Sequence, residues 1–232
     1  MAHDAMDLPA VLDRAAELID GACLLDDDSQ ADTLLEQAIM LLEAVQRDDA
    51  GAASADVAYR LGLAWYDRPG ETTARSRAVR AALYRALRLE PQHQSARLYL
   101  GHIEFDEGRY AEALRWFTTC DEQYFTDVMG QRWRACKTDE LILCCQLRLG
   151  AIDDLLIDLR QLVDAYLAMD PSKDLSAVPI ELFRTMCEEA ETGRLTGPQL
   201  AAALPELRRL AVGLDDVDLL GPQLARLEAS AP

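Results

Sequence analysis

The chain has no asparagine among its 232 residues, so it carries no N-glycosylation sequon. Positive charge is scarce: Lys+Arg total 23 against 41 Asp+Glu, for a net charge of −18. A general nucleic-acid binder needs excess cations for its phosphate contacts, and docking on anionic lipid needs them too, so both are excluded. Twelve glycines and nine prolines are too few for collagen or a low-complexity chain. No apolar run is long enough, without charge, to span a bilayer. The N-terminus has no basic run ahead of an apolar core, and Asp4 and Asp7 stand where one would begin, so no secretory signal is expected. The six cysteines, at 23, 120, 136, 144, 145 and 187, form no C-x-x-C pair and are too sparse for a disulfide scaffold. They read as reduced, mostly buried thiols of a cytoplasmic protein.

β-Branched residues are few and strict alternation is missing, so no sheet is expected. What is present is helical periodicity carried by leucine and alanine. The middle of the chain is the most informative. Leu100-Gly101 is followed by Gly108-Arg109-Tyr110 and then by Ala113, Leu114 and Phe117. This predicts a helix that Gly108 ends in a left-handed conformation, then a second helix from Tyr110 packing back on the first. Gly101 and Ala113 are small where the two helices approach, and Phe117 shares the face of Ala113 four residues earlier.

This pattern resembles the tetratricopeptide repeat, W-x2-L-G-x2-Y…A-x3-F…P over about 34 residues. The repeat spans 94–127 and keeps Leu100, Gly101, Gly108, Tyr110, Ala113 and Phe117. Arg97, Glu104 and Phe125 stand where the family has its first aromatic, its tyrosine and its closing proline. A preceding repeat, 55–91, matches with Leu61-Gly62, Ala64-Trp65-Tyr66, Leu83, Ala86, Leu87 and Pro91. Its extra residues fall in the turn at 67–73, where Pro69-Gly70 breaks the helix. A weaker unit, 130–169, pairs a helix ending at Gly150 with one capped by Asp153 and stopped at Asp170-Pro171.

The expected organisation is therefore all-α, with antiparallel helix hairpins stacked as a short solenoid. A degenerate N-terminal pair lies within 1–50, with helices near 8–24 and 31–47. The repeats occupy 51–170, a connector runs over 170–178, and capping helices fill 179–232, near 179–192, 198–212 and 222–229. Gly-Pro-Gln-Leu-Ala occurs at 197–201 and again at 221–225, and both copies read as helix starts. Pro205 either kinks its helix or begins a new one.

The resemblance implies that the second, fifth, ninth, twelfth and thirteenth residues of each repeat line a concave groove. These are Asp56, Tyr59, Leu63, Tyr66 and Asp67 in the first repeat and Ser95, Leu98, His102, Phe105 and Asp106 in the second. The third unit offers Lys137, Glu140, Cys144, Leu147 and Arg148. An apolar, aromatic centre edged by carboxylates suits a peptide or amphipathic helix with flanking basic residues. Tyr59, Leu63, Tyr66, Leu98, His102, Phe105 and Asp106 are the expected contact residues. The competing reading is that the large side chains pack against neighbouring helices. The family's carboxylate clamp, made of Lys, Asn and Arg at these positions, is missing, which disfavours acidic chaperone tails as ligands.

Charge is uneven. Residues 1–50 carry 13 acids and 2 bases, while 68–97 carry seven arginines against Glu71 and Glu90. Arg77, Arg80, Tyr84 and Arg88 follow one helical stripe. It reads as an anionic-ligand site, or else as a solvated face or an internal match to the acidic N-terminal unit, with the latter pair favoured.

Motifs for chemistry are weak. Asp26 to Asp32 fails as a calcium loop, because Ala31 and Gln37 stand where Gly and Glu are needed; its acids read as helix caps. His102-Ile103-Glu104 lacks the P-C-x-x-C that a zinc deaminase requires. Cys144 and Cys145 diverge by about 100° on a helix. No phosphate loop, G-x-S-x-G or H-E-x-x-H occurs. The expected function is a non-catalytic interaction scaffold, such as an adaptor, co-chaperone or inhibitor, with no cofactor or metal. Two other classes stay open. One is a thiol- or metal-dependent enzyme or its regulatory subunit; the other is a self-associating structural protein that forms a homo-oligomer.

Overall fold

A computed structural model describes residues 7–70, 72–170, 178–214 and 217–231. Every regular element among them is helical, and the helices pack in pairs, giving the all-α, repeat-like class expected. No helix among the described residues is long and apolar enough to cross a membrane. The chain divides into two compact units, 1–103 and 104–232.

Unit 1 holds α1 (Leu8–Cys23), α2 (Asp28–Val45), the single turn α3 (Asp49–Ala52), α4 (Ala55–Asp67), α5 (Thr73–Leu89) and most of α6 (Gln94–Asp106). Pro9 sits in the first turn of α1, where its missing N–H has no intrahelical partner to lose. The Asp27 carboxylate caps α2 by accepting from the Ser29 and Gln30 N–H groups at 2.9 and 3.1 Å, so the acidic loop is a helix cap as expected. Ser54 and Thr72 cap α4 and α5 in the same way. Ala15, Leu18, Ile19 and Ala22 of α1 meet Leu35, Ala38, Ile39 and Leu42 of α2, and both helices pack on α4. The α4–α5 hairpin closes tightly at Gly62. A Cβ there would lie 2.7 Å from Leu83 Cδ2, which explains glycine after Leu61.

Unit 2 holds the end of α6, α7 (Tyr110–Phe117), a π-helical turn (Tyr124–Val128), α8 (Arg132–Leu149), α9 (Leu155–Leu167), α10 (Ile180–Glu191), α11 (Gly197–Gly213) and α12 (Val217–Ser230). Gly108 and Gly150 both adopt φ of +73°. Around each, paired bonds satisfy the last carbonyls: Gly108 N–H to Phe105 O with Arg109 N–H to Glu104 O, and Gly150 N–H to Leu147 O with Ala151 N–H to Gln146 O. α8 packs on α7, α9 and α10, α9 packs on α11, and α12 covers α10 and α11.

Local expectations are corrected at Gly221-Pro222, Asp153 and Pro205. Gly221-Pro222 does not start a helix: α12 begins at Val217 and carries Pro222 inside it. Residue 154, not Asp153, holds the N-cap position of α9, and its side chain makes no cap bond. Phe125, placed where the repeat would close, lies in the π-helical turn and is buried. Pro205 does not begin a new helix, because α11 runs through it. Most of the expected connector, residues 171–177, lies outside the described residues.

Candidate functional site

On unit 1, α4 and α6 bring five rings into consecutive contact. Tyr59 lies 4.9 Å from His93 and 6.0 Å from Tyr99, centroid to centroid. Tyr99 lies 5.3 Å from Tyr66 and 5.5 Å from His102, and Tyr66 lies 6.2 Å from His102. Tyr59 and Tyr66 are seven residues apart on α4, and Tyr99 and His102 three apart on α6, so each pair shares a helical face. His93 precedes α6 and is buried. Its Nδ1 accepts from the Ala96 N–H at 3.1 Å, so the neutral ring carries its proton on Nε2. That nitrogen faces Asp56 Oδ1 at 3.6 Å. The other four rings are half-buried and form part of the surface.

The expected contact residues divide. Tyr59, Tyr66 and His102 come together in this cluster. Leu63 is half-buried and packs against the α1–α2–α4 core. Leu98 is 2% exposed, a core side chain with no surface for a partner. Phe105 and Asp106 belong to unit 2. Phe105 is buried, with its ring 5.5 Å from Tyr110, while Asp106 is exposed. Tyr99 was missed. The repeat template points to Leu98, but burial of Leu98 turns the next residue about 100° outward.

The third set of groove positions is closed. Within unit 2, α10 packs on α8, with Leu182 meeting Glu140 and Thr185 meeting Cys144, and Leu147 is buried as well. Glu140 is fully buried. It accepts from Lys137 Nζ at 2.8 Å, Tyr166 OH at 2.6 Å and the Leu182 N–H at 3.0 Å, joining α8, α9 and α10. Burial pushes its carboxyl above the usual range, with the Lys137 charge opposing. Arg148 pairs with Glu188 and, at 2.8 Å, with the buried Glu189, and its guanidinium lies 5.5 Å over the Tyr110 ring. Arg194 shares Glu189. Glu104, the acid two residues after His102, is buried and paired with Arg109.

Much of the arginine-rich segment is built into unit 1. Arg68 grips Asp32 in a fork, Nε to Oδ1 at 2.6 Å and NH2 to Oδ2 at 2.9 Å, and this bond holds the Asp32 carboxyl low. The match between the acidic N-terminal helices and this segment is therefore real at one pair. Arg85 donates to Ala52 O at 2.9 Å and Arg97 to Pro91 O at 2.7 Å. Arg77, Tyr84 and Arg88 are exposed along α5.

Unit 2 also holds two adjoining cavities, of about 330 and 290 Å³, that share Glu122, Asp139 and Ile142. Burial pushes the Asp139 carboxyl up to about 6, with the Glu122 charge adding to it. The cysteines do not favour thiolate chemistry. Burial raises the thiols of Cys144, Cys145 and Cys187, that of Cys145 to about 12; at the exposed Cys23, partial desolvation and the Asp67 and Asp20 charges act in the same direction. Among the described residues, no three His, Cys, Asp or Glu side chains converge as a metal site.

Set beside known proteins, the chain matches no family model and no curated protein.

Proposed function

We propose that the chain is a non-catalytic interaction scaffold, a tetratricopeptide-like helical repeat protein of the cytoplasm that holds a segment of a partner protein on the α4–α6 face of unit 1. The observation that carries this reading is the row of four half-buried rings, Tyr59, Tyr66, Tyr99 and His102, that shares one surface. Side chains of this size that served the core alone would be sealed, as Leu98 and Phe117 are. Tyrosine is enriched at binding hot spots because it offers a large contact area with few rotamers to freeze. The acidic clusters and raised thiols supply no activated nucleophile, which favours reversible binding over chemistry.

The test is an affinity pull-down with mass spectrometry, run on the native chain and on a Tyr59→Ala/Tyr66→Ala/Tyr99→Ala variant whose helicity and melting have been checked. Partners that bind this face disappear from the variant's list. An unchanged list from a folded variant refutes the reading.

A further inference from the structure

We infer that copies of this chain associate head to tail, the exposed face of α5 in one copy lying antiparallel against the exposed face of α2 in the next. The contact is independent of the partner face on α4 and α6.

The two helices carry opposite charge, and neither offsets its own. α5 holds Arg75, Arg77, Arg80, Arg85 and Arg88 and no acid, while α2 holds Asp28, Asp32, Glu36 and Glu43 and no base. Part of this charge is already used within the chain: Arg68 grips Asp32, and Arg75 and Arg85 donate to backbone carbonyls. Arg77 and Arg88 are exposed and meet no carboxylate among the described residues. Glu43 is exposed and meets no cation among them, and the exposed Glu36 lies in the field of Arg68 without bonding to it.

The faces also match in spacing. The exposed stripe of α5 runs through Ala74, Arg77, Ala81, Tyr84 and Arg88, and that of α2 through Ser29, Thr33, Glu36, Met40 and Glu43. Both advance in alternating steps of three and four, the spacing of a seam along which two helices pack. Met40 is 66% exposed, the one large apolar side chain on the outside of α2, and Ala81 leaves a gap halfway along the α5 stripe. With Met40 set over Ala81, antiparallel helices bring Glu43 within one residue of Arg77, about 1.5 Å of rise, and Glu36 within three of Arg88, about 4.5 Å. Parallel helices would instead set Arg47, just past α2, directly opposite Arg88, and like charges in contact are costly. Because the two faces differ, each copy offers α5 to one neighbour and α2 to another, and the copies close into a ring or extend as a row. At about 0.15 M salt the Debye length is about 8 Å, which damps the repulsion between chains of net charge −18 while pairs in contact persist.

Sedimentation velocity of the full chain at this salt, up to about 1 mM protein, tests the contact. The weight-average mass is expected to rise with concentration. Arg77→Glu/Arg88→Glu, which reverses the α5 face, and Glu36→Arg/Glu43→Arg, which reverses the α2 face, should each weaken association at least tenfold; all four positions are exposed, and melting confirms the folds. The two variants mixed should form a one-to-one dimer and nothing longer, since each keeps the face the other has lost. One chain carrying all four reversals should associate again. Met40→Ser should weaken association about threefold. Asp13→Arg/Asp20→Arg makes the same change in net charge on the outside of α1 and should leave it intact, as should Tyr59→Ala/Tyr66→Ala/Tyr99→Ala. A mixture that stays monomeric overturns the inference, and so does equal weakening by the α1 and α2 reversals. A native chain that stays monomeric also overturns it; an acidic protein lost from the pull-down by Arg77→Glu/Arg88→Glu would then be the occupant of α5. None of these results bears on the scaffold reading, which stands or falls on the three tyrosines.

Discussion

Replacing Glu140 with alanine removes the acceptor that Lys137 Nζ, Tyr166 OH and the Leu182 N–H share. Glu140 and Tyr166 are 0% and 1% exposed, so the abandoned hydroxyl and amide find little water in its place. Breaking a buried charge pair by deleting one partner costs about 3–5 kcal/mol. At about 3 °C per kcal/mol for a domain of this size, the melting transition of unit 2 falls by about 10–15 °C. Glu140→Gln keeps the shape but turns an amide toward a donor, and costs about 1–3 kcal/mol. The decisive measurement is a double-mutant cycle with Tyr166→Phe, followed by chemical denaturation. In the native background Tyr166→Phe costs about 1.5–3 kcal/mol, as expected for a hydrogen bond to a charged group. In the Glu140→Ala background it costs almost nothing, because the hydroxyl has already lost its acceptor. The pH dependence has a fixed sign. Burial raises the folded carboxyl, so the folded state holds the proton more tightly than the unfolded chain does. Stability is therefore greatest below the unfolded value and falls as pH rises through the folded one; Glu140→Gln removes that slope. A melting shift under about 3 °C, or an equal cost of Tyr166→Phe in both backgrounds, refutes the role of Glu140 as the acceptor that joins α8, α9 and α10.

Asp32→Asn loses the fork from Arg68 and costs at most about 1 kcal/mol, since both side chains remain partly solvated. Its carboxyl is held low in the fold, so this contribution is present above the unfolded value and fades as pH falls through the folded one; acid titration of the variant should show a flatter limb. Gly108→Ala places a β-carbon at φ +73° with nothing within 4 Å, so its cost is backbone strain alone, about 1 kcal/mol by urea denaturation. Thiol labelling at pH 8 followed by mass spectrometry should modify the exposed Cys23 first and reach Cys144 and Cys145 only on unfolding; equal native-state rates would contradict their burial.

Local signals were legible where one residue type is physically required. Gly108 and Gly150 end their helices because only glycine adopts their φ without strain, and Gly62 follows Leu61 because Leu83 occupies the space of its β-carbon. The acids of the 26–32 loop announced a helix start through cap chemistry, and Pro198 announced the start of α11 through its place in the first turn. Pro222 misled, since a proline after glycine reads alike at a first turn and inside a helix. The π-helical turn left no trace, because it rests on how Tyr124–Val128 packs against α8 and not on residue type. For the candidate face, the template found Tyr59, Tyr66 and His102 but chose Leu98 over Tyr99. Spacing alone does not show which of two adjacent side chains a neighbouring helix will bury. The third groove set failed for the same reason: nothing in 137–148 foretells that α10 will cover it.

The bond from the Ala96 N–H to His93 Nδ1 reaches beyond helix capping. It fixes the imidazole against the backbone, so the ring does not flip without uncapping α6. Tyr59, packed at 4.9 Å on that fixed ring, inherits its orientation, and Tyr99 takes its place from Tyr59. Such a surface is preorganised: little side-chain entropy is left to lose when a guest arrives, and more of each contact's energy appears as affinity. Were this face the proposed binding surface, rigidity at a single backbone amide would set how sharply it told guests apart.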